Sequence, residues 1–406
     1  MENGIKFNNG KFKLMQVSDL QDTKRTCVDT LRFIDSALEK EKPDLVIMTG
    51  DQLDVVGMWG KGDKLVKNVR KAIFGLFSVF EKHGIPYALT FGNHDSETGL
   101  PIEEQAKIYA ELEHCIGFKN MNDGRPDVGT YNVPVLSSDG ESTAMNFFLM
   151  DTHNTHVEDG FTGPSEEALK WYKTTSDSLG RVPSMTFQHI PPDEVYELLK
   201  EVPKGTKGAH PAFRARKGKY YVPDREKMTA VEAFGESPSI VSATNKEFEM
   251  MREQGDVMGI YFGHDHYNSF YGNVRGVDLG YCPGAGYNTY GLKNRAVRIF
   301  EFDENDIRNY KTRIIDYKDC CKKSEAAPIK NFIYCRAPST TFLAKQYAVK
   351  YIGILLAVVL VLVFLNTINP AFVKSLLIGF AAGGALYGII SLTYNAIIRN
   401  RYIKKK

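Results

Sequence analysis

Over the first three quarters of the chain, short apolar runs alternate with stretches whose apolar residues recur every three or four positions. Residues 12–17 predict a strand, followed by a polar turn over 18–24. Within 27–40, Val28, Leu31, Ile34 and Leu38 form a helical stripe, and Pro43 ends it. Residues 45–48 are continuously apolar, as in a strand buried on both faces. A second helix is predicted over 64–82, with Val66, Ile73, Phe77 and Phe80 on one side. Further strands are predicted at 87–91, 146–150, 185–187 and 260–262, and 297–302 with 312–317 read as an antiparallel closing pair. Strands alternating with helices predict an α/β fold whose sheet is covered on both faces. The basic, Gly-rich segment 204–227 reads as a long loop or an insertion.

Near Tyr347 the pattern changes. Residues 351–365 are an unbroken uncharged run, Asn366-Thr367 and Asn369-Pro370 follow, and 375–398 is a second run without a charge. About 17–24 helical residues cross a hydrocarbon core about 30 Å thick. Two membrane helices are therefore predicted, about 349–368 and 373–398, joined by the Asn/Pro turn. Lys345 and Lys350 precede the first run, Arg399, Arg401 and Lys404 to Lys406 follow the second, and Lys374 alone lies between. The positive-inside rule then puts both ends in the cytoplasm and the turn outside. Gly379/Gly383 and Gly384/Gly388 allow close helix contact in lipid, within the hairpin or between chains of a homo-oligomer. The expected organisation is a domain at 1–325, a linker at 326–346 and a membrane hairpin at 347–406.

Composition sharpens this in two places. With 406 residues, 43% hydrophobic and 25% charged, the chain is too apolar for a disordered protein and long enough for a full-sized core. The net charge of +2 hides an asymmetry: 347–406 holds seven Lys/Arg and no acid, leaving −5 on the rest. A net-acidic body argues against nucleic acid as a partner. Cys27, Cys115 and Cys282 are scattered, and Cys320, Cys321 and Cys335 lack zinc-type spacing, so reduced thiols in a reducing compartment are expected. The polar start through Lys13 shows no signal h-region, and the body is expected in the cytoplasm.

Ligands of α/β folds gather at the carboxyl ends of strands. Those ends carry Ser18-Asp19-Leu20-Gln21, Thr49-Gly50-Asp51, Gly92-Asn93-His94-Asp95, Gln188-His189 and Gly263-His264-Asp265-His266. Five ends each deliver Asp, Asn or His, which core packing does not require. Convergent O and N donors suit divalent metals, and seven or eight candidates suit two ions sharing a carboxylate.

These five motifs, spread in order over about 12–320, resemble the calcineurin-like metallophosphoesterases, particularly the branch similar to purple acid phosphatases. The resemblance implies a four-layer α/β/β/α sandwich, here followed by two transmembrane helices. It implies that Asp51 bridges two metals, that Asp19 and His266 bind the first, and that Asn93, His189 and His264 bind the second. His94 falls where the family has a histidine facing the leaving group. Gln21 replaces the family's first histidine, and Asp54 stands where purple acid phosphatases have a Tyr; either Gln21 or Asp54 completes the first site. The ions are Mn, Fe or Zn, with the departure favouring a harder ion. Asp95 and Asp265 read as residues orienting a histidine.

The implied reaction is hydrolysis of a phosphate ester, a monoester in preference, by attack of hydroxide held on the metal pair. His94 protonates or neutralises the departing oxygen. His153 and His156, after the 146–150 strand, are candidates for substrate contact, beside an ordinary loop role. A solvated loop is the more usual reading of 204–219, and a grip on an anionic substrate the sharper one. The rivals are a phosphodiesterase acting on nucleotides or lipid headgroups and a non-catalytic phosphoesterase-like binding protein at the membrane.

Overall fold

The computed structural model describes residues 4–54, 60–322, 325–338 and 341–403. Its contacts divide the chain into two units, 1–323 and 324–406. The first begins β1 (Lys11–Val17), α1 (Val28–Glu41), β2 (Leu45–Thr49), α2 (Asp63–His83), β3 (Tyr87–Thr90), α3 (Asn93–Ser96) and α4 (Ile102–Tyr109). It continues with β4 (Tyr131–Leu136), β5 (Thr143–Met150), α5 (Glu166–Ser178) and β6 (Ser184–Gln188). Four short strands follow: β7 (Leu199–Val202), β8 (His210–Pro211), β9 (Tyr220–Pro223) and β10 (Met228–Ala233). Then come α6 (Glu247–Gln254), β11 (Val257–Phe262), β12 (Ser269–Val274), β13 (Val277–Tyr281), β14 (Ala296–Asp303), β15 (Lys311–Asp316) and α7 (Tyr317–Cys320).

Two sheets carry the domain. One has the order β15-β14-β1-β2-β3, the other β10-β12-β13-β11-β6-β5-β4. β1, β2 and β3 run parallel, and β14 and β15 close that sheet antiparallel, in line with the predicted pair. In the second sheet β5, β6, β11 and β13 run parallel. The sheets meet through interlocked aromatic rings: Phe12 against Phe147, Phe147 against Phe302, and Phe187 and Tyr261 against Phe300. Strand alternation then turns the next residues outward. Phe148, Ile260 and Phe262 share a core with Leu169 and Tyr172 of α5 and with Phe248 and Met251 of α6. On the far side Phe77 and Phe80 of α2 pack on Tyr87 of β3. The result is the expected four-layer α/β/β/α sandwich, with its parallel strands delivering their carboxyl ends to one rim.

The 204–227 segment is an insertion with structure of its own. β7, β9 and β8 form a separate three-stranded antiparallel sheet, and β10 joins the edge of the large sheet. Alternation over such two- to four-residue strands is too brief to announce them.

The second unit holds α8 (Pro328–Tyr334), α9 (Thr341–Ile368) and α10 (Pro370–Ile403). The segment expected as a linker therefore contains α8, opened by Pro at its first position, and the start of α9. α9 starts before its apolar run because 341–350 has neither Gly nor Pro to stop it. Tyr351–Ile368 and Pro370–Tyr402 are long and apolar enough to cross a membrane. The basic residues Lys404 to Lys406 lie outside the described residues.

One buried group outside the strand-end rim gives a pH prediction. Glu247 is 1% exposed; its Oε1 accepts from Gln188 Nε2 at 3.2 Å, and its Oε2 has no hydrogen-bond partner among the described residues. Burial, reinforced by Glu194, pushes its carboxyl up to about 8 against the Gln188 hydrogen bond. The folded state therefore holds a proton that the unfolded chain releases near the ordinary carboxyl pKa. That stability is complete below the ordinary value and is lost toward pH 8, at about 1.4 kcal/mol per pH unit. Glu247→Gln should gain on the parent in urea unfolding at pH 8.5 and match it near pH 4. Equal stability of the two proteins at pH 8.5 would refute the assignment.

Candidate metal centre

The site is built on left-handed turns at strand ends. Asp19 (φ +52°), Gln21 (φ +37°), Asp51 (φ +53°) and His264 (φ +71°) all have positive φ, a conformation non-glycine residues adopt at a cost. Two glycines permit close approach. A Cβ on Gly92 would lie 2.1 Å from Asp51 Oδ1, and one on Gly263 would lie 1.8 Å from Ser18 Oγ and 2.5 Å from Asp19 Oδ2.

Asp51 stands at the centre. Ligand atoms of Asp19, Asp51 and His266 lie within 4.8 Å of one another. On its other side Asp51 Oδ2 is 3.3 Å from His189 Nε2. That nitrogen is 3.1 Å from Asn93 Oδ1 and 3.2 Å from His264 Nδ1. Two donor groups thus share one carboxylate. The outer nitrogens are already committed: His189 Nδ1 donates to the Thr49 carbonyl and His266 Nδ1 to the Tyr290 carbonyl, each at 2.8 Å. Those bonds turn both Nε2 atoms inward. The set fits a pair of divalent cations on its own chemistry. Asp19 Oδ1 is buried, with His266 Nε2 at 3.1 Å as its neighbour, and three more nitrogen and amide donors crowd together opposite. Buried acceptors crowded in this way need positive charge among them, from protonated imidazoles or from bound cations.

In the absence of metal the imidazoles supply that charge. Burial opposes charge on Asp51, yet the imidazoles of His189 and His94 outweigh it and hold the carboxyl well below its usual range. Burial likewise opposes charge on His189, but Asp51 drives it up to about 10. Burial and then His189 press His264 down to about 3. On Asp19 and His266 burial is again outweighed, by each other, so the acid is lowered and the base raised.

Gln21 and Asp54 part company here. The Gln21 amide points into the cluster, with Nε2 at 2.9 Å from Asp51 Oδ2 and 3.4 Å from His266 Nε2. Turning the amide over would offer its oxygen at the same place. Asp54 is half-buried, its backbone N–H donates to the Asp22 carbonyl, and its carboxylate is outside the Asp19–Asp51–His266 group.

His94 sits at the mouth with 32% of its side chain exposed, Nε2 4.0 Å from Asp51 Oδ2 and Nδ1 2.6 Å from Glu97 Oε2. Burial lowers its pKa, and Asp51 and Glu97 more than restore it, for a net rise. Asp95 and Asp265 differ from expectation: neither orients a histidine. Asp95 accepts from the backbone N–H groups of Asp51, Gly92 and Leu53, locking two loops together. Asp265 accepts from Tyr281 Oη and Ser239 N. Both side chains turn away from the histidine beside them in sequence and toward the nearest orphan N–H and O–H donors. His153 donates its backbone N–H to Asp151. His156 lies on Phe161, which meets the His264 ring edge-on at 5.3 Å.

Three functional neighbours escaped the sequence reading. Glu97 is three residues after His94, a helical spacing that signals contact. Tyr290 stacks on His266 at 4.1 Å, and Phe161 packs against His264. Neither ring carries a local signal. Tyr290 belongs to the 280–291 segment, whose Ala285 and Gly286 N–H groups bond the carbonyls of Ser18 and Asp19.

Known proteins resemble this chain. The family model described as calcineurin-like phosphoesterase matches residues 12–268. Relatives include the "Probable inactive purple acid phosphatase 14" of Arabidopsis thaliana, 27% identical over 73% of this chain and 77% of its own. The "Phosphatase DCR2" of Saccharomyces cerevisiae is 26% identical over 75% of this chain and 54% of its own. A dimetal phosphatase structure from Danio rerio aligns with a TM-score of 0.45 and 13% identity, covering 75% of this chain and 99% of the other.

Proposed function

Because this chain belongs to the calcineurin-like phosphoesterase family, we propose that it hydrolyses phosphate esters, monoesters in preference, at a pair of divalent cations. The observation that carries this reading is the sharing of Asp51 between two donor groups. Asp19, His266 and Gln21 would hold one cation, Asn93, His189 and His264 the other, with Asp51 common to both. When bound, the cations supply activated water and neutralise the phosphoryl oxygens. With Nδ1 on Glu97, His94 presents Nε2 to the departing oxygen, and the carboxylates of Asp51 and Glu97 favour its protonated form. α9 and α10 are long and apolar enough to tether this unit to a lipid bilayer, and the Lys and Arg residues flanking them in the sequence favour the cytoplasmic side. A second reading, binding of phosphate esters without turnover, draws on Gln21 and on the names of the Arabidopsis relatives.

The test is a metal and substrate screen. The full chain in detergent is stripped, reloaded with Mn²⁺, Fe²⁺ or Zn²⁺, analysed for metal, and assayed on nitrophenyl phosphate and bis-nitrophenyl phosphate. Two ions per chain with monoester turnover is the expected result. Two ions without turnover of either ester would establish the binding reading instead. His94→Ala should slow alkyl phosphates by about a hundredfold and aryl phosphates less, since the aryl oxide leaves without a proton.

A further inference from the structure

We propose that Arg214 and His156 form a second anion subsite beside the metal centre, selecting phosphate esters that bear a second anionic group; this rests on the ester reading above. Arg214 lies on the short turn Arg214–Arg216 between β8 and β9, is exposed, and has φ +47°. Its Nη1 donates to the Val157 carbonyl at 3.1 Å and its Nη2 to His156 Nδ1. Its Cζ stands 5.4 Å over the Phe161 ring, and the His156 ring packs on Phe161 at 4.3 Å. Phe161 meets His264 on its other edge, so a single ring separates the guanidinium from a candidate metal ligand.

The charge pattern gives this arrangement its meaning. Of the other cations in the insertion, Arg216 is bridged at two points by Asp193, Lys219 pairs with Glu201 and Lys227 with Asp224, while Lys204, Lys207, Lys217 and Arg225 show no carboxylate partner among the described residues but none of them is placed over the Phe161 ring as Arg214 is. Among the described residues no carboxylate pairs with Arg214, whose two recorded acceptors are neutral. Glu97, the acid that acts on His156, already accepts from His94 and Asn154. A guanidinium without a carboxylate, one ring away from a site that would hold two dications, favours an anionic ligand that reaches past that ring to both. His156 adds a donor: with Nδ1 accepting from Arg214, its proton is on Nε2. Arginine N–H forks match phosphoryl and carboxylate oxygens in two-point contacts. The ligand class is therefore a phosphate ester with a further phosphoryl group a few bonds away, soluble or on a lipid headgroup.

Calorimetric titration of the Mn²⁺-loaded full chain in detergent tests this, because binding is read whether or not the ester is cleaved. The probes are hexyl phosphate, hexanediol bisphosphate, its butanediol and octanediol homologues, and a short-chain inositol lipid bisphosphate with its monophosphate. At least one bisphosphate should bind about fivefold more tightly than its monophosphate. Arg214→Gln should erase that ratio, Arg214→Lys should keep part of it, and His156→Ala should reduce it, with unchanged melting temperatures certifying the fold. The homologue or lipid that shows the ratio identifies the source of the second anion. Equal affinities for every mono- and bisphosphate pair in the parent, or a ratio that survives Arg214→Gln, would overturn the subsite. Absence of turnover with the ratio intact would remove the hydrolase reading alone.

Discussion

Asp51→Asn is expected to lose both the bound metal pair and phosphate-ester turnover, the latter by about a thousandfold or more. Residues that merely orient a metal ligand change affinity or activity by about 10–100-fold when mutated, and a shared ligand should exceed that. The local hydrogen bonds explain why so small a change is severe. Asp51 Oδ1 accepts the His94 N–H at 2.8 Å, and Oδ2 accepts from Gln21 at 2.9 Å and lies 3.3 Å from His189 Nε2. A carboxylate can accept on every side, whereas an amide must aim an NH₂ at one set of donors. The charge balance shifts as well. His189 is held protonated in the absence of metal chiefly by Asp51, against the cost of burial. Metal analysis together with a rate on nitrophenyl phosphate checks the point. A variant carrying two ions and hydrolysing at the parent's rate would show that Asp51 does not bridge.

Gly92→Ala is expected to be nearly as damaging, although it replaces no donor atom. The backbone at Gly92 (φ −106°) suits any residue, so the effect comes from space alone. The new methyl would sit 2.1 Å from Asp51 Oδ1 and 2.5 Å from Asp51 N. Neither can yield cheaply, because Asp51 N and Gly92 N both donate to Asp95 Oδ2 at 2.9 Å. Overpacking typically costs about 1–3 kcal/mol, and contacts this short on backbone belong at the top of that range. Relief by moving the Asp51 loop would displace the shared carboxylate. The melting temperature should fall and the metal content with it. Parent-like values of both would mean that the two loops are held less rigidly than Asp95 implies.

Much of this protein was legible before folding because its signals are local. Each strand end writes its donors within two to four residues, so Asp19, Asp51, Asn93, His94, His189, His264 and His266 could be found one motif at a time. Whereas α4, α5 and α6 were not predicted, α1 and α2 were equally plain, since their apolar residues recur at helical spacing. The 204–227 insertion was not, because its strands are too short for alternation to register. Asp95 and Asp265 were misjudged because proximity in sequence to a histidine says nothing of where a carboxylate finds its nearest orphan N–H.

By itself, then, the amino-acid sequence determined the alternating α/β architecture, the two long apolar helices and the inventory of donor atoms, since all three follow from residue type and spacing along one stretch of chain. Only the tertiary structure decided which donors share Asp51, that Gln21 rather than Asp54 faces His266, and that Tyr290, Phe161 and Arg214 border the centre. Those contacts join residues from different loops and both sheets. They exist only after the inter-sheet aromatic core has closed and brought the separate strand ends to one rim.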